Sequence, residues 1–113
     1  MGVAVITCHQ FQMNTKCPIN GTVDTYEIEI SVDTFITVED IKEALEKFYE
    51  TTLFQEELTT QIADVMDTIS GLVSVVTNGS HGTFKTTCTW TADEDRQYLP
   101  SKQKKLMDKL RAD

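Results

Sequence analysis

Residues Tyr26 to Val32 alternate, with Tyr26, Ile28, Ile30 and Val32 on one side and Glu27, Glu29 and Ser31 on the other. A repeat of two is the repeat of a strand, and only one of the two faces is apolar. The run therefore belongs to a sheet that buries one side and wets the other. A second run, Thr83 to Thr91, alternates as well and groups Phe84, Thr86, Cys88 and Trp90. Between the two runs the apolar spacing changes to three and four. Val38, Ile41, Ala44, Leu45 and Phe48 mark one helix, and Leu58, Ile62, Val65, Met66 and Ile69 mark another.

The punctuation agrees with that order. Thr37 can cap the first helix, with Glu39 and Asp40 in its first turn. The second helix is expected from near Thr52 to a C-terminal cap at Gly71. Val3 to Thr7 reads as a short partner strand and Leu72 to Thr77 as a strand. Asn78-Gly79-Ser80-His81-Gly82 reads as a turn or loop. A closing helix is expected over about 101–111. The sequence thus predicts an α+β fold, strand-strand-helix-helix-strand-strand, whose antiparallel sheet carries two helices on one face. Its 113 residues suit one domain spanning 1–113, with a core over about 3–92.

The formal net charge is −8, so the chain as a whole repels phosphate backbones. Nucleic-acid binding would need a local basic patch, and Lys102, Lys104, Lys105, Lys109 and Arg111 are the candidates. Such a run is ordinarily a solvated helix face. Cys8, Cys17 and Cys88 are an odd set without CxxC spacing, which speaks against a disulfide framework or zinc site and for reduced thiols in the cytoplasm. Met1-Gly2-Val3-Ala4-Val5-Ile6 lacks the basic region and long apolar core of a signal peptide. No apolar run reaches membrane-spanning length, so no membrane partner is expected.

Five positions carry the candidate chemistry. Cys17 lies in the polar stretch Lys16-Cys17-Pro18-Ile19-Asn20-Gly21-Thr22-Val23-Asp24. It is either a small buried residue or a nucleophile, and the polar turn and neighbouring Lys16 favour the second. Cys8 and Cys88 sit in strand-like runs and read as core residues. Asp24 is either a turn-forming aspartate or a proton donor for attack on a multiply bonded carbon. Glu56, in Phe54-Gln55-Glu56, is either a first-turn glutamate or a two-point acceptor for a guanine-like edge. Glu57 is a weaker candidate for that task. His81 is either an exposed loop histidine or a contact to the site. His9 and His81 have no ligand-spaced carboxylates, so no metal site is expected. No Gly-rich phosphate cradle or dinucleotide fingerprint is present.

The segment from Phe11 to Asp24 resembles a signature of the QueF family of tunnelling-fold (T-fold) enzymes, Phe-Thr-Ser-x-Cys-Pro-x-Thr-Gly-Gln-Pro-Asp-Phe. Cys17-Pro18, Gly21 and Asp24 stand at matching offsets, with Phe11 upstream. The family's second signature, Phe-His-Glu at the start of the second helix, is similar to Phe54-Gln55-Glu56. The resemblance covers roughly residues 6–90. It implies a T-fold assembled as an oligomeric ring or barrel, with sites between subunits. It further implies that Cys17 adds to the nitrile of 7-cyano-7-deazaguanine to give a thioimide, that Asp24 protonates the nitrogen, and that Phe54, Gln55 and Glu56 bind the base.

Three departures from the family's reductases select among its chemistries. The region from Val38 to Lys47 keeps at most Glu39 and scattered lysines of their NADPH-linked Glu-Ser-Lys-Ser-Leu-Lys motif. The motif histidine is replaced by Gln55, and an Arg-Gly-Gly becomes Ser80-His81-Gly82. The pattern is nearest to the short QueF-like amidinotransferases, which use ammonia to make the archaeosine-type amidine. The expectation is an enzyme of that kind, acting on the base free or within tRNA or DNA and needing no cofactor. One alternative is the NADPH-dependent nitrile reductase of the queuosine-type pathway. Another is a non-catalytic purine- or pterin-binding module.

Overall fold

The computed structural model describes residues 5–92, so the helix expected over about 101–111 lies outside the described residues. Four strands form one antiparallel sheet in the order β1-β2-β3-β4: β1 (Thr7–Lys16), β2 (Val23–Val32), β3 (Leu72–His81) and β4 (Phe84–Thr91). Between β2 and β3 come α1 (Val38–Leu45), a 3-10 turn (Glu46–Phe48) and α2 (Gln55–Ile69). The α+β order expected from the sequence is the order observed.

The core forms on the apolar side of β2. Tyr26, Ile28, Ile30 and Val32 are all at most 1% exposed, and they pack with Leu45, Phe48, Leu58, Ile62, Ala63 and Met66 from the helical layer. Each fully buried Leu, Ile or Val contributes roughly 1.5–3 kcal/mol relative to exposure. The opposite face is held by polar cross-strand pairs: Gln10 to Glu29 at 2.9 Å, Thr25 to Asn14 at 2.9 Å and Thr87 to Asn78 at 2.6 Å. Thr37 caps α1 by accepting from the Asp40 N–H at 3.1 Å. Among the described residues no helix is long and apolar enough to cross a membrane.

Several boundaries differ from the sequence reading. The first strand starts at Thr7, where a strand over Val3 to Thr7 was expected, and Val5 and Ile6 are exposed. Its inward positions, Phe11, Met13 and Thr15, alternate with Gln10, Gln12 and Asn14, so polar residues on both faces mask the period. Cys8 is exposed on this strand, contrary to its reading as a core residue. The second helix starts at Gln55, later than Thr52, because the chain before it is tied to β1. Glu50 N–H donates to Asn14 O, Lys16 N–H donates to Thr51 O, and Thr52 bridges Lys16 in parallel. The helix stops on Ser70, whose N–H and hydroxyl both reach Met66 O, and not on a glycine cap at Gly71.

The largest difference is in the stretch read as a turn. Asn78 to His81 complete β3, and only Gly82 and Thr83 connect it to β4. Phe84 at the start of β4 is exposed, whereas Thr86, Cys88 and Trp90 are partly buried as the alternation predicts. Gly79 pairs with Tyr26, and a Cβ placed on it would lie 2.5 Å from Tyr26 Cε1 and 2.7 Å from Cδ1. The glycine is there because the tyrosine ring lies across the strand, not because the chain turns. Gly79→Ala is therefore expected to cost about 1–3 kcal/mol of unfolding free energy in urea titrations. A variant as stable as the wild type would show that the ring does not need the space.

Candidate active site

β1 and β2 are joined by a turn that fixes Cys17 through its backbone. Cys17 N–H donates to Thr22 O, and Cys17 O accepts from Gly21 N–H, both at 2.8 Å. Gly21 takes φ of +72°, a conformation open to glycine at little cost. Asn20 Oδ1 braces the turn by accepting from the Thr22 N–H at 3.1 Å and from its hydroxyl at 2.7 Å. The thiol of Cys17 is half-buried and in no disulfide among the described residues.

Asp24, the second residue of β2, pairs with Thr15 in the register and has a side chain only 11% exposed. Two groups converge on its carboxylate. The Tyr26 hydroxyl lies 3.5 Å from Oδ2, and His81 Nδ1 lies 3.8 Å from Oδ1. Because β3 continues to His81, the histidine stands on a strand beside Asp24, where a free loop was expected. Burial first, then the charge of Asp24, push the Tyr26 phenol far above its ordinary range, and Cys17 adds to the same effect. The phenol thus stays protonated and points a donor at the carboxylate. Thr15 pulls weakly the other way, yet its own hydroxyl is buried and makes no hydrogen bond of ordinary geometry.

A second cluster lies two residues further along the sheet. Thr77 of β3 pairs with Cys88 of β4, and the first turn of α2 rests over them. Burial raises the Cys88 thiol, and the next cause is the negative charge of Glu56, which places that carboxylate beside β4. Glu56 itself is exposed. Gln55 is buried, and its amide nitrogen donates to Thr77 O at 3.0 Å, Thr77 Oγ1 at 3.2 Å and Thr86 O at 2.9 Å. Thr59 closes this network, at 2.8 Å from Gln55 O and 2.7 Å from Thr77 Oγ1. Phe54 is partly buried and its N–H reaches Glu57 Oε1 at 3.3 Å.

The expected residues thus fall into two groups joined by Gly79. Asp24 and His81 meet directly, and Cys17 is close enough to be felt at the Tyr26 oxygen. Gln55 and Glu56 belong to the α2 cluster. A Cβ on Gly79 would touch both the Tyr26 ring and, at 3.2 Å, Gln55 Oε1, so the two groups abut over that residue. Tyr26 and Thr15 were not singled out by sequence. The available signal for Tyr26 was a phenol among the apolar inward positions of β2, two residues from Asp24. Among the described residues, no group of three or more His, Cys, Asp or Glu is arranged to hold a metal ion.

No protein-family model matches the chain, and no curated protein matches it. Among solved structures, it is similar to the crystal structure of the archaeosine synthase QueF-Like in the apo form. The TM-score is 0.71 with 14% sequence identity, over 77% of this chain and 92% of that chain. The chain has the tunnelling fold. The likeness agrees with the architecture expected from Cys17-Pro18, Asp24 and Phe54-Gln55-Glu56.

Two outcomes follow for the site. Gln55→Glu would set a carboxylate against three oxygen acceptors and is expected to cost about 3 kcal/mol or more at neutral pH. The loss should shrink in acid, where the new carboxyl is protonated and can donate; urea titrations at several pH values would read this. The second outcome concerns alkaline pH. Folded-state values raised for Cys88 and Tyr26 mean that stability is fully present below their ordinary values of 9.0 and 10.0 and falls as pH climbs beyond them. Tyr26→Phe should flatten the part of the fall above pH 10. An unchanged slope would mean that the phenol is not held as described.

Proposed function

We propose that this chain is a QueF-like enzyme that attacks the nitrile of 7-cyano-7-deazaguanine through Cys17. The observation that carries the reading is Asp24, a mostly buried carboxylate flanked by Tyr26 and His81, at the end of the turn that fixes Cys17. A thiol and a carboxyl so placed suit addition across a carbon–nitrogen triple bond. The Cys17 sulfur bonds to the nitrile carbon, one carbon–nitrogen π bond breaks, and the nitrogen takes a proton from Asp24. The product is a thioimide. The fold of the archaeosine synthase neighbour supports a 7-deazaguanine-related role.

Glu56 is the residue for the base. Its carboxylate is exposed at the first turn of α2 and can accept from a ring N–H and an exocyclic amine together. Phe54 and Gln55 shape the same end of the helix, with Gln55 acting through the strands that its amide holds. The second half of the reaction is amidination. Ammonia adds to the thioimide carbon, the carbon–sulfur bond breaks, and Cys17 leaves as a thiol with the amidine released. This reading rests on the sequence departures at Val38 to Lys47 and Ser80-His81-Gly82, and it needs no NADPH. Among the described residues the outer edge of β4 pairs with no strand, and that of β1 is met near Asn14 and Lys16 by Glu50 to Thr52, which leaves the rest of both edges as pairing surfaces for a homo-oligomer with sites between subunits.

Intact mass measurement after incubation with the free nitrile base tests the first step. Wild type should gain one base per site, and Cys17→Ala should gain none. An adduct that survives Cys17→Ala removes Cys17 as the nucleophile. Asp24→Asn should slow adduct formation by about 10²-fold or more, and unchanged kinetics would remove Asp24 from the step. Addition of ammonium should release the amidine and free the thiol. NADPH consumption in the presence of the nitrile would identify the reductase instead, and tight binding of the base without an adduct would identify a binding module.

A further inference from the structure

We propose that His81 and Asp24 form a single proton-holding pair, in which His81 keeps Asp24 supplied with a proton near neutral pH; the inference rests on the thioimide reading. His81 acts through Asp24 and is a positioning residue for it. Nδ1 of His81 faces Oδ1 of Asp24 at 3.8 Å, while Oδ2 is taken by the Tyr26 hydroxyl at 3.5 Å. Each carboxylate oxygen therefore has its own partner. The exposures differ in a useful way: the Asp24 side chain is 11% exposed and that of His81 is 46% exposed. One member of the pair reaches the site and the other reaches water. Distances of this size commonly tighten when substrate binds.

His81 is held for the task by a strand. It is the last residue of β3 and pairs with Phe84 across the Gly82-Thr83 turn. Among the described residues the titratable groups around the pair are few. Asp24 and Tyr26 come from β2 and Cys17 from the turn. On β4, Lys85 pairs with Ser80, and the alternation of the strand carries it to the opposite face. Gln55 holds strand carbonyls with an amide that carries no exchangeable charge. The proton traffic of the site falls to Asp24 and its neighbour.

Addition of a thiol to a nitrile moves one proton from sulfur to nitrogen and consumes none. The pair gives its proton to the nitrogen as the π bond breaks and is refilled by the proton that the sulfur releases, so it ends as it began. No further reactant is needed. An isolated carboxylic acid loses its proton near pH 3.9 and an isolated imidazole near pH 6.5, on the order of a 10²-fold difference in proton affinity. An imidazole beside the carboxylate gives the pair a second place to hold a proton, 3.8 Å from the carboxylate oxygen.

The experiment is the rate of adduct formation with free 7-cyano-7-deazaguanine from about pH 5 to 9, followed by intact mass, for wild type and His81→Gln. Near neutral pH the variant should be slower by about 10²-fold, with its alkaline limb moved to lower pH. Placing His81→Gln on Asp24→Asn should add little, and imidazole in solution should restore the single variant but not the double one. A merely structural role for His81 would scale the profile without moving its limb. If wild type forms the adduct and His81→Gln leaves the limb in place, the pairing is overturned. If wild type forms no adduct at any pH, the thioimide reading itself falls and takes this inference with it.

Discussion

Where Gly79 lacks a side chain, the Tyr26 ring crosses β3 and occupies the space that a methyl group would fill. Much of the site depends on that approach. The ring closes the end of the core beside Met13, its partner on β1, and carries a hydroxyl out to Asp24. The same glycine leaves room for the Gln55 amide, whose nitrogen ties β3 and β4 to the first turn of α2. Remove the clearance and the ring, the carboxylate and the helix start cannot all keep their positions. A side chain that is absent thus sets the relation between the thiol end of the site and the Glu56 end.

The electrostatics follow from that packing. Asp24 is a mostly buried carboxylate in a strongly acidic chain, a costly arrangement unless donors reach it. A buried phenol supplies one donor, and a half-exposed imidazole stands 3.8 Å from the other oxygen. Glu56 is treated differently: it stays in solvent, and after burial its charge is the next cause that raises the Cys88 thiol. The two carboxylates thus sit in unlike environments, one enclosed and one wet. Such a division suits one to proton transfer and the other to hydrogen-bonded recognition.

Periodicity made the centre of the fold legible and left its edges obscure. Tyr26 to Val32 announced β2 because one face is wholly apolar, and Ile41, Leu45, Leu58, Ile62 and Met66 announced the helices for the same reason. β1 was hidden because Gln10, Gln12 and Asn14 alternate with His9 and Thr15, so both faces look polar. The end of β3 was hidden because Asn78-Gly79-Ser80 has turn composition, while the fact that decides its conformation is a ring from another strand. Local composition competes poorly with tertiary packing of that kind. In the site, Cys17, Asp24 and Glu56 could be picked out by type and spacing. Thr15 could not, because its place beside Asp24 arises from register across strands, and Tyr26, two residues from Asp24 on the same strand, read only as one more inward position of β2.

Gln55 shows how a single side chain can be committed by its surroundings. Three acceptors converge on its amide nitrogen, two of them strand carbonyls. A neutral imidazole has one N–H to offer, and an imidazolium has two that point apart; neither could meet those oxygens from one atom. A histidine here would leave buried acceptors short of a donor, at a cost of about 1–3 kcal/mol for each. In this chain the position is therefore built for holding β3 and β4 against α2, and it cannot also exchange protons. Among the described residues, His81 is the histidine that meets the mostly buried carboxylate of Asp24. It comes from the end of the same strand that Gln55 fastens, so the structural task of one residue places the titrating group of the other.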